Sequence, residues 1–139
     1  MRALSETARS VTRVVLALAM TAIGVMHFVS PDGFVKIVPR ALPNPYGLVL
    51  ISGAFEVLLG LGLLIPRARR LSSYGLVALY IAVFPANINM AINHLDLGGT
   101  PLPTWVLWLR LPFQLVFIAL ALWVGGHPRS SRSDEAGSR

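Results

Sequence analysis

The sequence predicts an all-α fold, a transmembrane four-helix bundle with a short interfacial helix in the first extracytoplasmic loop. Three observations lead there. Of the 139 residues, 55% are apolar and only 13% are charged, a composition suited to lipid rather than to a solvated coat. The charges gather into short stretches separated by nearly uncharged runs of about 20 residues, the length a helix needs to cross about 30 Å of hydrocarbon. The net charge of +6 comes largely from arginines set directly against those runs, as in ARSVTR and PRARR. A nucleic-acid partner would instead call for a basic face with polar or aromatic readout residues.

The first span is expected at about 11–29. Arg2, Arg9 and Arg13 precede it as in a secretory signal, but no small-residue cleavage pattern closes the apolar run, so it reads as an uncleaved helix. The loop SPDGFVKIVPRALPNPY follows. It offers Ser30 as a cap, Pro31 at a first helical position, and apolar Phe34, Ile37 and Val38. That pattern suits a short helix on the membrane surface, and an ordered irregular loop fits the same residues. The second span, about 46–65, stops at Pro66. The third, about 71–93, has Ser72 or Ser73 as its expected cap. It contains Pro85, which cannot donate to the carbonyl of Ile81 and should bend the helix there. The fourth, about 104–125, begins with Thr104 as a cap after Pro103.

Residues 1–127 are thus read as one transmembrane domain, and the polar tail 128–139 as disordered. With four spans, nine of the twelve Lys and Arg residues fall on the side of the two termini. The positive-inside rule then puts both termini in the cytoplasm.

Polar groups inside apolar spans each need a partner or a role, since a central charge costs about 2 to 3 kcal/mol on insertion scales. Here they are His27, Glu56, Asn87, Asn89, Asn93, His94, Arg110 and Gln114. All are expected in the outer half of the membrane, with Glu56 roughly 15 Å deep at 1.5 Å per residue. Helical spacing also assigns faces. Gly53, Glu56 and Gly60 share one, so the carboxylate lies beside two glycines that permit close approach of another helix. Gly24 and His27 line up on the first span, Tyr80, Phe84, Asn87, Ala91 and His94 on the third, and Arg110 and Gln114 on the fourth. The simplest arrangement neutralises Glu56 with Arg110, with Gln114 and Asn87 completing the hydrogen bonds. Around Pro85, Asn87, Asn89 and Asn93 can satisfy freed backbone groups. The sequence has no cysteine, which removes thiolate chemistry and cysteine-ligated metals. His27 and His94, on different helices, read as interfacial or capping residues rather than as metal or haem ligands.

The ordered set GVMHF, PDGFVKIVP, ISGAFEVLLGLGLLIP and VFPANINMA resembles the DoxX-like family of small four-helix bacterial membrane proteins. The resemblance runs from Gly24 to Ala91 and more loosely through the last span. It implies a bacterial inner-membrane protein and a link to quinone-coupled or other membrane redox chemistry, hence the oxidoreductase label used for relatives. The residues it carries over are His27, Pro31, Phe34, Pro39, Gly53, Glu56, Pro66, Pro85, Asn87 and Asn89, none with an assigned catalytic role.

Three functions compete. The first is a subunit binding a quinone or similar small aromatic through His27, Glu56, Asn87, Arg110 and Gln114. In the second, the chain is a non-catalytic scaffold or assembly partner of a redox enzyme or other membrane subunit, with the polar groups setting helix register alongside Gly53, Gly60, Pro85, Asn89, Asn93 and His94 and the cytoplasmic arginines contacting lipid headgroups or another subunit. The third is a small solute or proton transporter, for which four helices without a repeat leave little room.

Overall fold

The computed structural model describes residues 1–97, 99 and 101–126; the tail 128–139, expected to be disordered, lies outside them, as does His127. The described residues form five helices: α1 (Arg2–Val29), α2 (Pro31–Ile37), α3 (Pro45–Gly62), α4 (Arg69–Ile92) and α5 (Thr104–Gly125). Four of them, α1, α3, α4 and α5, are long and apolar enough to cross a membrane, the pattern of a multi-pass membrane protein. Their outward faces agree, because large apolar side chains such as Leu58, Leu71, Trp105 and Leu115 stand exposed in numbers a water-soluble surface would not carry.

Local chemistry explains the boundaries, and it corrects several expected caps. α1 starts at Arg2, well before the predicted span at Val11, because Ala3 to Arg9 are mostly good helix formers without a breaker. Ser30 makes no side-chain cap; its N–H instead bonds the Met26 carbonyl, and Pro31 opens α2. α3 is capped by Asn44, a left-handed residue with φ 47°, whose side chain accepts from the Gly47 N–H at 3.2 Å. α4 begins at Arg69, so Ser72 and Ser73 sit buried inside it and cap nothing. Ser73 Oγ donates to the Ala121 carbonyl at 2.6 Å and joins α4 to α5. Thr104 is the first residue of α5 and likewise makes no cap bond. α4 runs through Pro85 to Ile92, and α5 tolerates a second internal proline, Pro112.

α1 packs chiefly on α3 and α4 on α5, and the contacts of α3 with α4 and of α1 with α5 join the two pairs. Lipid tails are as apolar as leucine, so such packing depends on close approach rather than on escape from water. Gly24 and Gly53 provide it between α1 and α3. A Cβ at Gly24 would lie 2.7 Å from the Gly53 carbonyl oxygen, and one at Gly53 would lie 2.5 Å from His27 Cβ. Gly60 extends the same stripe against α1 beside Ala17 and Thr21.

The buried clusters are polarised. Leu16, Ala17 and Met20 of α1, Leu63 just past α3, Leu76 and Tyr80 of α4, and Ala121 and Val124 of α5 knit all four long helices together toward the end where α3 and α5 finish and α4 begins. At the opposite end, Ile37 of α2 packs with Met90 and Ala91 of α4 and Leu107 of α5, a cluster containing no residue of α1 or α3. Asn89 Nδ2 donates to the Ile37 carbonyl at 2.9 Å, and Lys36 Nζ lies 3.7 Å from Asp96 Oδ1, so α2 is strapped to α4 and its following turn. The two helix pairs are joined at one end, and α2 bridges them at the other.

Candidate functional site

Between the pairs, beneath α2, lies a cavity of about 690 Å³ with walls from all five helices. Most of its lining is apolar, including Ile23, Ile51, Phe55, Leu79, Val83, Phe113 and Phe117. The polar exceptions are His27, Ser52, Glu56, Tyr80, Asn87, Arg110 and Gln114. All five residues assigned to ligand binding from the sequence therefore line one space. An apolar hollow with a few convergent polar groups is the usual form of a small-molecule site.

On the α1/α3 wall, Glu56 and His27 are both buried. They meet because the contact of Gly24 with Gly53 brings the next turns of the two helices together. His27 Nδ1 lies 2.8 Å from the Ile23 carbonyl and 3.4 Å from Glu56 Oε2. A carbonyl can only accept, so Nδ1 carries the proton and donates to Ile23. Glu56 Oε2 is shut off from solvent and has no hydrogen-bond partner among the described residues. The Phe34 ring from α2 covers His27, with centroids 3.8 Å apart and planes 21° from parallel.

On the α4/α5 wall the amides form a closed chain. Asn87 Nδ2 donates to Gln114 Oε1, and Gln114 Nε2 donates to the Tyr80 carbonyl. The backbone group served is Tyr80, one residue before Ile81, whose carbonyl the proline was expected to free. Arg110 is only thinly held: Nη2 lies 3.4 Å from Asn87 Oδ1 and Nη1 lies 3.3 Å from Met90 Sδ, a weak acceptor. At the floor, Tyr80 Oη donates to Met20 Sδ at 3.0 Å.

The expected ion pair between Glu56 and Arg110 does not form. Among the described residues the ionic neighbour of Glu56 is His27, and Arg110 has no carboxylate within ion-pair distance. The physical reason is the helix pairing: α3 takes its close contact from α1, while α5 takes its from α4, and the cavity stands between the acid and the guanidinium.

The remaining amides do other work. Asn89 ties α4 to α2, and Asn93 Nδ2 donates to Asn89 Oδ1 at 2.7 Å. His94 leaves the face shared by Tyr80, Asn87 and Ala91 because α4 ends at Ile92; it is exposed, with φ 52°, and does not line the cavity. Pro85 lines the wall directly. Three contributors were not assigned from the sequence: Phe34 as the cover of His27, the Tyr80 hydroxyl, and Met90 as a contact of Arg110. The apolar spacing of α2 pointed to Phe34 as a packing residue, but nothing in it indicated a ring stack on α1.

A family model described as a domain of unknown function, DUF8561, matches residues 16–125, a range that contains every polar group of the cavity. No curated protein and no solved structure matches the chain.

Proposed function

The chain belongs to the DUF8561 family, and from the cavity we propose that it is a membrane subunit that binds a quinone or a similar small aromatic carrying carbonyl or hydroxyl oxygens. In this reading the four long helices form a transmembrane bundle in the bacterial inner membrane, with both termini cytoplasmic and α2 lying at the outer surface. The distribution of arginines and the resemblance to the DoxX-like family support it.

One observation carries the proposal: Glu56, whose buried Oε2 has no hydrogen bond among the described residues, lines the same apolar cavity as Arg110, which has no carboxylate within ion-pair distance among them. Buried polar groups in lipid are normally satisfied within the protein. The chain from Asn87 through Gln114 to Tyr80 meets that rule and accounts for the register of α4 on α5. Glu56 Oε2 is left without a bond, and on the opposite wall Arg110 keeps only two long contacts, to Asn87 and Met90. A flat ligand with an oxygen at each end would accept from the Arg110 guanidinium and bond the Glu56 carboxyl at the other end, its ring among Phe55, Phe113 and Phe117. Glu56 beside His27 is then placed to exchange a proton with the ligand oxygen, and the electrons would pass to or from a partner redox subunit.

The closed amide chain favours a second reading, a scaffold in which polar groups serve only to fix helix positions. Mass spectrometry of small molecules retained after gentle purification separates the two. A quinone or related aromatic recovered from the wild-type protein and depleted in Glu56→Gln supports the binding site. Recovery of none, or equal recovery from both, favours the scaffold.

A further inference from the structure

At the end of the molecule opposite α2, Arg9 and Arg13 stand one turn apart on α1. Arg13 Nε donates to the Val124 carbonyl at the end of α5, at 3.2 Å, and the Arg9 guanidinium lies 5.7 Å from the ring of the preceding residue, Trp123. Arg69, the first residue of α4, donates from Nε to the Leu63 carbonyl at 3.2 Å. Leu63 and Val124 belong to the same buried cluster, so their carbonyls hold the two side chains at one end of that core. Arg13 lies within electrostatic reach of both Arg9 and Arg69. Three like charges are thus gathered by contacts that do not neutralise them.

Two further facts point to an anion. None of the three forms an ion pair among the described residues. Arg9 Nε is shut off from solvent and has no hydrogen-bond partner among the described residues, the kind of buried donor that folded proteins rarely leave unmet. Arg13 and Arg69 each spend Nε on a backbone carbonyl, an arrangement that fixes the plane of the guanidinium while its Nη groups keep donors for phosphate oxygens.

The surroundings identify the carrier of that phosphate. Val11, Val14 and Val15 stand exposed beside Arg9 and Arg13 on α1, and Trp123 is 39% exposed, enough to place an aromatic ring at the edge of the apolar belt. Tryptophan and arginine at that boundary mark headgroup depth. We infer that Arg9, Arg13 and Arg69 form a binding site for the phosphate of an anionic membrane lipid, seated where α1, α4 and the end of α5 meet. The site is separate from the cavity and does not depend on a ligand there.

The test is native mass spectrometry of the full chain released from nanodiscs containing phosphatidylglycerol in a phosphatidylcholine background. Selective retention of phosphatidylglycerol is expected, with apparent affinity falling about fivefold for each guanidinium removed, so that R13Q/R69Q loses roughly 25-fold. Arg9→Gln, which removes the contact with Trp123 but no hydrogen bond among the described residues, should lose about fivefold on the same basis and shows the effect even if the double variant is unstable. Equal retention of both lipids, or unchanged selectivity in Arg9→Gln, overturns the inference. Inorganic phosphate added to lipid-free protein in detergent distinguishes the carrier. Stabilisation by phosphate alone, without lipid selectivity, would assign the site to a soluble phosphate and overturn the lipid assignment, whereas lipid selectivity without that stabilisation supports it.

Discussion

Glu56 Oε2 stands 3.4 Å from His27 Nδ1, but that nitrogen's proton is already directed to the Ile23 carbonyl at 2.8 Å. Glu56 Oε2 therefore has a neighbour without having a bond among the described residues. In a membrane interior this is an unfavourable position unless something else completes it, because an isolated buried carboxyl gains little from a partner committed elsewhere. The packing that enforces it is the contact of Gly24 with Gly53, which sets the relative height of the two helices.

Replacing Glu56 by leucine should leave the protein as stable or raise its stability by about 1 to 3 kcal/mol, since an incompletely paired buried polar group gives way to apolar volume. Thermal unfolding in detergent measures this. A scaffold held together by Glu56 would instead lose stability.

Arg110→Gln keeps an amide donor but removes the charge and the forked geometry. Affinity for the aromatic ligand should fall by about tenfold to a hundredfold, the equivalent of one charged hydrogen bond of roughly 1.5 to 3 kcal/mol. A fluorescence-quenching titration with a short-chain quinone reads it directly; unchanged affinity would remove Arg110 from the site.

Asn87 and Gln114 should behave as one unit. A double-mutant cycle to alanine, followed by unfolding, should give a coupling of about 0.5 to 2 kcal/mol, in the range of interhelical hydrogen bonds in membranes. Strict additivity would show that the amide chain does not hold α4 to α5.

Gly24→Val forces a side chain to within 2.7 Å of the Gly53 carbonyl oxygen, where the obstacle is backbone and cannot swing aside. Destabilisation of about 1 to 3 kcal/mol is expected from such overpacking. If α1 and α3 tolerate valine with no change in melting temperature, the close approach of these helices is not what sets the position of His27 and Glu56.

The elements most legible in the sequence were those governed by helical period. Gly24 with His27, and Gly53 with Glu56 and Gly60, announce their shared faces by spacing alone, and the apolar runs announce the four long helices. Pro31 with Phe34 and Ile37 foretold α2 as one of two readings. What spacing does not reveal is which helix neighbours which. Glu56 was matched to Arg110 by charge, whereas the packing gives it His27, because glycine contacts and not ionic attraction pair α3 with α1. The serines failed for a related reason: Ser73 resembles a cap only until α4 is seen to begin at Arg69, after which its hydroxyl serves α5.

The most direct test of the central claim is calorimetric titration of the purified protein with a short-chain menaquinone or ubiquinone analogue, run in parallel on Glu56→Leu. Saturable binding of one molecule per chain to the wild type, lost in a variant that is folded and at least as stable, is the predicted result. Absence of binding to the wild type, or the same binding curve for both, would contradict it.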